Sequence, residues 1–249
     1  MNFGNPEKPE IMWQFSQAID GMSDACVALD APVIGGNVSF YNETDGKGIL
    51  PTLMVGVVGF VDDMTDLKPS AAFLAPGHKV AVLGNIAGET LGGGEYIYSC
   101  HGLTRGVPPK CNLDLEKAVS QACRTLVRSG AVASAHDISD GGLFAALAEC
   151  TGAHNGTRVG AQLTLQSTED ITTALFGEAG ARIVVSYTPE NAAAVQQVAT
   201  EQGVALTELG STGGDTLNLN LSGRSLSLGL DTLFERWDNG LTEALGIKS

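Results

Sequence analysis

Basic residues are scarce. Fourteen lysines and arginines stand against 28 aspartates and glutamates, a formal net charge of −14. Polyanions and anionic membranes are held by clustered Lys and Arg, so this balance argues against general nucleic-acid or membrane-surface binding. It leaves room for a local phosphate site built from backbone amides. The five cysteines are scattered and odd in number, with no Cys-x-x-Cys pair. That argues against a disulfide framework or a zinc ribbon and fits a reducing cytoplasm. No apolar run reaches the roughly 18 residues of a transmembrane helix. The opening residues, Met1-Asn2-Phe3-Gly4-Asn5-Pro6-Glu7-Lys8, lack the apolar core of a secretory signal. No nucleophile elbow surrounds any cysteine, and Cys26 and Cys123 fall inside helical patterns, where thiols act as small hydrophobes. His78, His101 and His154 have no metal-ligand spacing, and a hydrogen-bonded structural role suits His136.

Apolar residues make up 43% of the chain, enough for a core and about two domains. The 32 glycines lie at turns and loop mouths, as strand-to-loop-to-helix transitions require. Ile11, Phe15, Ile19, Met22, Cys26 and Leu29 recur at helical spacing and predict an amphipathic helix over 8–29. A turn at Asp45-Gly46-Lys47-Gly48 and a strand over 53–61 follow, and 62–75 reads as a connector. Strands are expected at 79–84 and 181–186, helices at 113–129, from Pro189 onward with Thr188 as N-cap, and at 231–246. Alternating Leu217, Leu219 and Leu221, then Ser222-Gly223, then Leu226 and Leu228, predict a hairpin. Helices alternating with strands and hairpins imply a mixed sheet in an α/β (α+β) fold, with a partial domain at 1–75 and a larger one at 76–249.

Three stretches carry candidate chemistry. His136-Asp137-Ile138-Ser139-Asp140-Gly141-Gly142-Leu143 follows a short apolar run and opens a helix. Free N–H groups at such a helix start bind phosphate, and Asp137 and Asp140 suit a hard cation such as Mg²⁺. The alternative is a plain helix entry in which Asp140 is only an N-cap. Gly35-Gly36-Asn37-Val38-Ser39-Phe40-Tyr41-Asn42-Glu43 pairs glycines with an amide (Asn37), a hydroxyl (Ser39) and a carboxylate (Glu43) that can meet a metal–phosphate ligand. The alternative is a polar turn after a helix, with Asn37 in a left-handed conformation, and composition alone favours it. Phe176-Gly177-Glu178-Ala179-Gly180-Ala181-Arg182 is a turn entering an Arg-bearing strand. Arg182 is read there as structural, pairing with Glu178.

Asn2-Phe3-Gly4-Asn5-Pro6-Glu7-Lys8-Pro9, Gly36 to Glu43, Pro51-Thr52 before a glycine-spaced strand, Gly92-Gly93-Gly94-Glu95-Tyr96, His136 to Leu143, and Phe176-Gly177-Glu178 with Arg182 form an ordered set. Together they resemble the C-terminal half of the small-form synthetase subunit of the phosphoribosylformylglycinamidine synthases, in the aminoimidazole ribonucleotide synthetase-like superfamily. The resemblance implies that fold and an ATP-dependent amidation of formylglycinamide ribonucleotide in purine biosynthesis. ATP would activate the formamide oxygen, and ammonia would displace the phosphate. It implies ATP and Mg²⁺ as cofactors. Partners would be the missing N-terminal synthetase half, a glutaminase subunit and a small bridging subunit.

By the same resemblance, Gly36 touches ATP, Asn37 ligates Mg²⁺ and Ser39 contacts the ribonucleotide. Asp137 and Ser139 belong to a second nucleotide–metal site regarded as structural, with Asn2 as a further metal ligand. The family's catalytic His lies outside this chain, so no catalytic residue is assigned. The chain starts late against the family, which implies an unpaired sheet edge and inactivity alone. Gly177-Glu178-Ala179-Gly180 departs from the Gly-Glu-Ser-Gln of the family's first half, which suits a non-catalytic site. Rival readings are a nucleotide-binding structural module and another ATP-using relative of the same superfamily.

Overall fold

The structure is a computed structural model that describes residues 1–61 and 70–246. It divides into two compact units, Met1–Asp62 and Asp63–Ser249.

The first unit is built on helix α1 (Pro9–Leu29), whose proline sits in the first turn, where its missing N–H costs nothing. The expected apolar stripe is the half-buried face: Ile11, Phe15, Ile19, Met22 and Cys26 are all partly covered, while Leu29 is exposed. No residue of α1 is fully buried. Phe3, with no exposed surface, packs edge-on against Phe15 at 5.4 Å, and Phe15 meets Phe40 at 5.0 Å. Strands β1 (Glu43–Thr44) and β2 (Lys47–Gly48) close a two-residue hairpin through Asp45 and Gly46, both at positive φ.

The strand expected at 53–61 does not form. Residues 51–61 are exposed throughout, and the last bridge is Asn2 to Thr52. The apolar pattern is that of a strand, but a strand exists only where a neighbour takes its N–H and C=O groups.

The second unit is a seven-stranded sheet in the order β4-β6-β3-β7-β5-β8-β9. The strands are β3 (Lys79–Gly84), β4 (Ser134–Asp137), β5 (Ala161–Leu165), β6 (Arg182–Tyr187), β7 (Leu206–Thr212), β8 (Thr216–Leu221) and β9 (Arg224–Gly229). Every pairing is antiparallel except β5 with β8, so the sheet is mixed as expected. β3 reads as an unbroken apolar run because both of its faces are covered. Val80 and Val82 join one core with Leu143, Leu147, Leu163 and Leu217, while Ala81 and Leu83 join the other with Val119, Leu126, Val185 and Tyr187.

Helices α2 (Glu95–His101), α3 (Leu113–Ser129), α4 (Gly142–Cys150), α5 (Ile171–Phe176), α6 (Ala192–Glu201) and α7 (Leu230–Ala244) complete the unit. α3 matches its expected bounds, buries Val119, Ala122 and Leu126, and is capped by Asn112 accepting from Leu115 N–H. Thr188 and Pro189 open a short 3₁₀ turn (Pro189–Asn191) that leads into α6. The β8–β9 hairpin turns at Ser222-Gly223 as expected. β5, β7, α2 and α5 carry no expectation from sequence.

Of the stretch read as a connector, 62–69 lies outside the described residues, and 70–75 is part of the second unit. Phe73 is fully buried in its core, and Phe73 N–H donates to Cys150 C=O at 2.6 Å. Among the described residues no helix is long and apolar enough to cross a membrane.

Candidate functional site

In the first unit, three of the expected site residues lie on neighbouring extended segments. Ser39 N–H donates to Met1 C=O at 3.0 Å, Phe3 N–H donates to Ser39 C=O at 2.9 Å, and the Met1 ammonium donates to Asn37 C=O at 2.8 Å. Asn2 is bridged to both Ser39 and Thr52. These contacts are backbone contacts, so the Asn2 and Asn37 side chains remain exposed and able to meet a ligand. Ser39 Oγ lies against the Asn42 side chain at 3.2–3.4 Å, and Asn42 also donates to Phe3 C=O. Gly36 is exposed, and a Cβ added there would meet nothing within 4 Å. Glu43, considered for a cation, is paired instead with Lys8 Nζ at 2.9 Å. The left-handed residue of this stretch is Tyr41, at φ 59°, and not Asn37.

In the second unit, β4 delivers His136 and Asp137 to the turn that opens α4. His136 is fixed at both nitrogens: Nδ1 faces Asp137 C=O at 2.7 Å, and Nε2 lies 3.0 Å from Glu149 Oε2. That is the structural role expected of it. The Asp137 carboxylate is 75% exposed, and Ser139 and Asp140 are exposed. The N-cap is Gly141, at φ 76°, so the reading of Asp140 as N-cap does not hold: the chain needs a left-handed residue there, which glycine supplies without strain.

The amide that this turn frees is already engaged. Gly141 N–H donates to Glu178 Oε1 at 2.9 Å, and the same oxygen accepts from Glu95 N–H at 2.7 Å. A Cβ at Gly94 would lie 3.0 Å from the Glu178 carboxylate, so any larger residue there would have to displace that side chain slightly. Glu169 makes a matching contact on the other side of α5, accepting from Gly88 N–H at 2.9 Å and Glu89 N–H at 3.0 Å. Two carboxylates thus fasten the glycine-rich loop before α2 to the ends of α5. Charge-assisted bonds of this kind are about twice as strong as neutral ones.

Arg182 anchors the arrangement, and its role differs in detail from the expected Glu178 pairing. It is 3% exposed, donates through Nε to Ala179 C=O at 2.8 Å and through Nη2 to Gly177 C=O at 2.6 Å. These are the carbonyls on either side of Glu178. Burial pulls the guanidinium below its ordinary pKa, and the carboxylates of Glu89, Glu169 and Glu178 push it back up.

Two of the clefts formed by the described residues of this unit bear on the site. One, of about 540 Å³, is lined by Asp137 and Ile138 together with Glu116, Ser120, Arg124 and Arg182. Its size is within the range of small-molecule sites. Ser120 and Arg124 were not expected from sequence; their signal is their spacing of one helical turn on α3, visible only once Asp137 is known to face them. The larger cleft, of about 690 Å³, lies among Phe144, Ala148, Leu228, Leu233 and Trp237, is mainly apolar and contains none of the expected site residues.

Among the described residues no group of three or more His, Cys, Asp or Glu is arranged to hold a metal. Asn2 and Asn37 in one unit and Asp137 in the other offer oxygen donors only. This donor set fits magnesium as an ion carried mainly on phosphate oxygens and water, its usual mode, and does not fit a dedicated all-protein cage.

Cys123 and Cys150 are poorly suited to a nucleophilic role. Burial pushes the Cys123 thiol up, and burial with the Glu149 and Asp137 carboxylates pushes Cys150 far up. Because the thiolate is the reactive form, iodoacetamide at pH 8 is expected to label exposed Cys100 first and Cys150 last. Peptide mapping by mass spectrometry checks the order, and equal labelling of the two would contradict the packing around α4.

Family models match both parts of the chain: AIR synthase related protein, N-terminal domain, at residues 1–61, and AIR synthase related protein, C-terminal domain, at residues 75–219. The phosphoribosylformylglycinamidine synthase subunit PurL of Anaeromyxobacter sp. is 44% identical over 98% of this chain, and that of Moorella thermoacetica is 41% identical over 95%. The chain spans about a third of the length of these relatives, 32% in each case. Among solved structures, Thermotoga maritima PurL complexed with FGAR superposes with a TM-score of 0.67 at 18% identity, covering 86% of this chain and 36% of that one. The same protein complexed with ATP gives a TM-score of 0.63 at 17% identity, covering 86% and 34%. At that identity the likeness speaks for the fold, which is the expected aminoimidazole ribonucleotide synthetase-like α+β fold. With both family models matching in order and together covering most of its length, the chain belongs to the AIR synthase related family and resembles PurL over nearly all of its residues.

Proposed function

We propose that this chain is the C-terminal part of a phosphoribosylformylglycinamidine synthase, contributing to ATP-dependent amidation of formylglycinamide ribonucleotide with ammonia drawn from glutamine. The observation that carries the reading is the 44% identity to a PurL subunit across 98% of the chain. Activity then requires the remaining synthetase half, a glutaminase subunit and a small bridging subunit, in the cytoplasm. In this reading Gly36 lets ATP approach, Asn37 gives an oxygen to magnesium, and Ser39 donates to the ribonucleotide. Magnesium, when bound, neutralises charge on phosphate oxygens. The chain's own work is positioning, which is most of what phosphoryl transfer asks of a protein.

Asp137 and Ser139 belong to a separate nucleotide site that supports the fold without turnover. The engagement of Gly141 N–H by Glu178 favours this, since it removes one amide from any phosphate. The test combines the purified chain with the N-terminal half, glutaminase and bridging subunits and follows ADP release with formylglycinamide ribonucleotide. A rate above background that falls at least tenfold with Ser39→Ala supports the reading. A rate no higher than that of the partners alone overturns it. ADP–Mg²⁺ binding by calorimetry that is lost in Asp137→Ala and kept in Ser39→Ala separates the structural site from the reacting one.

A further inference from the structure

Helix α7 carries Leu230, Phe234, Trp237 and Leu241 at helical spacing, and only the first two are buried. Trp237 is 61% exposed, yet it does not stand on a flat surface. With Phe144 and Ala148 of α4, Leu228 of β9 and Leu233 of its own helix, it walls the mainly apolar cleft of about 690 Å³. That volume falls among those of small-ligand sites. Every wall belongs to the second unit, and each is fixed by contacts within it. On α7, Arg158 lies over the Phe234 ring at 4.4 Å and reaches Asp231 at 3.8 Å and Asp238 at 3.5 Å. On α4, Phe144 packs on Phe176 at 5.5 Å, and the buried Ala146 and Leu147 tie the helix to the core. The cleft is therefore preformed.

Its charge is one-sided. Glu149 and Arg236 are the charged residues that line it. Glu149 is already engaged, with Oε2 3.0 Å from His136 Nε2. Asp231 and Asp238, the acidic neighbours on α7, face Arg158. Among the described residues Arg236 has no ion pair and no hydrogen-bond partner. An apolar cleft with two aromatic side chains thus offers one uncommitted guanidinium, in a chain where cations are scarce. We propose that this cleft binds a planar aromatic anion, with the ring system against Phe144 and Trp237 and the acidic group on Arg236. Aromatic faces favour a flat ring in offset or edge contact, and a guanidinium pairs with carboxylate, sulfonate or phosphate oxygens through parallel N–H groups. No residue assigned to the amidation reaction lines this cleft, so the inference stands or falls apart from that reading.

The test uses the full chain carrying Trp13→Phe, which leaves Trp237 as its tryptophan, with 8-anilinonaphthalene-1-sulfonate as the probe. The expected result is saturable single-site binding in which Trp237 emission falls in step with the rise of probe emission. Arg236→Gln should weaken the sulfonate about fivefold, the scale of a partly exposed ion pair. The same variant should leave N-phenyl-1-naphthylamine, the same rings without the sulfonate, unchanged. Trp237→Ala, followed by probe emission, should weaken both compounds. Both side chains are exposed, and far-UV circular dichroism checks that each variant keeps its fold. Probe emission that rises without loss of Trp237 emission places the probe elsewhere and overturns the proposal. So does an Arg236→Gln chain that binds both compounds as before or loses both alike. Laurate binding as tightly as the sulfonate overturns the aromatic class. The titration is repeated on the complex co-purified with the N-terminal synthetase half: retained binding supports the proposal, and abolished binding assigns the cleft to contact between the halves and overturns it.

Discussion

Arg182→Ala is expected to destabilise the second unit by about 3–5 kcal/mol, the scale of two buried hydrogen bonds from a charged group at about 1.5–3 kcal/mol each. The guanidinium is the donor for Gly177 C=O and Ala179 C=O, and alanine leaves both carbonyls without that partner. It also leaves Glu178 and Glu169 near a void where a cation stood. A buried acceptor without a donor costs about 1–3 kcal/mol by itself. Arg182→Lys should recover less than half, because one ammonium on a flexible stem cannot span two carbonyls as a planar fork does. Urea unfolding followed by circular dichroism reads the effect as a lower midpoint at similar slope. A loss under about 1 kcal/mol would mean that the 177–179 turn holds its shape without the arginine, and the account of Glu178 as a positioned carboxylate would fail with it.

Gly142→Ala should cost about 3 kcal/mol, from two sources that add at one position. Its φ is 69°, where an L-residue is strained by about 1–2 kcal/mol. Its Cβ would lie 2.7 Å from Leu175 C=O and 2.8 Å from Gly177 C=O, so the α4 start and the end of α5 would have to separate. Overpacking of this kind typically costs about 1–3 kcal/mol. Gly130→Ala is the internal comparison: its φ is 69°, but nothing lies within 4 Å of an added Cβ. It should show the strain alone. Thermal melts of both variants test the difference, and equal losses would refute the close approach of the two backbones.

The same turn shows how sequence and structure divide the explanation. A strand, a pair of glycines and a helix in this order are visible in the residue pattern, because they rest on local geometry, although the strand lies at Ser134–Asp137 and not on the apolar run 131–133 that signals it. The partner of the amide they free is not, since Glu178 lies 37 residues away from Gly141 and 83 from Glu95. A carboxylate and a bound phosphate satisfy the same N–H group, and only the folded chain says which is present. β7 was not expected for a related reason, whereas β5 alternates buried and exposed residues cleanly and was legible in Ala161, Leu163 and Leu165. β7 is interrupted by a register shift against β3 at Val80/Ala81, and its burial does not alternate cleanly. Residues 53–61 fail in the opposite direction: the pattern is a strand, and the neighbour that would make it one is absent among the described residues.

The sequence alone determined the helices with a marked apolar stripe, the doubly covered strand β3, the Ser222-Gly223 hairpin and the family, because propensity, periodicity and motif order are written residue by residue. Tertiary structure decided that Arg182 serves carbonyls and not Glu178, that Lys8 takes Glu43, that Asp137 borders a cleft with Ser120 and Arg124, and that 53–61 lies open. Those outcomes depend on which distant group reaches a donor or acceptor first, and no local pattern encodes that distance.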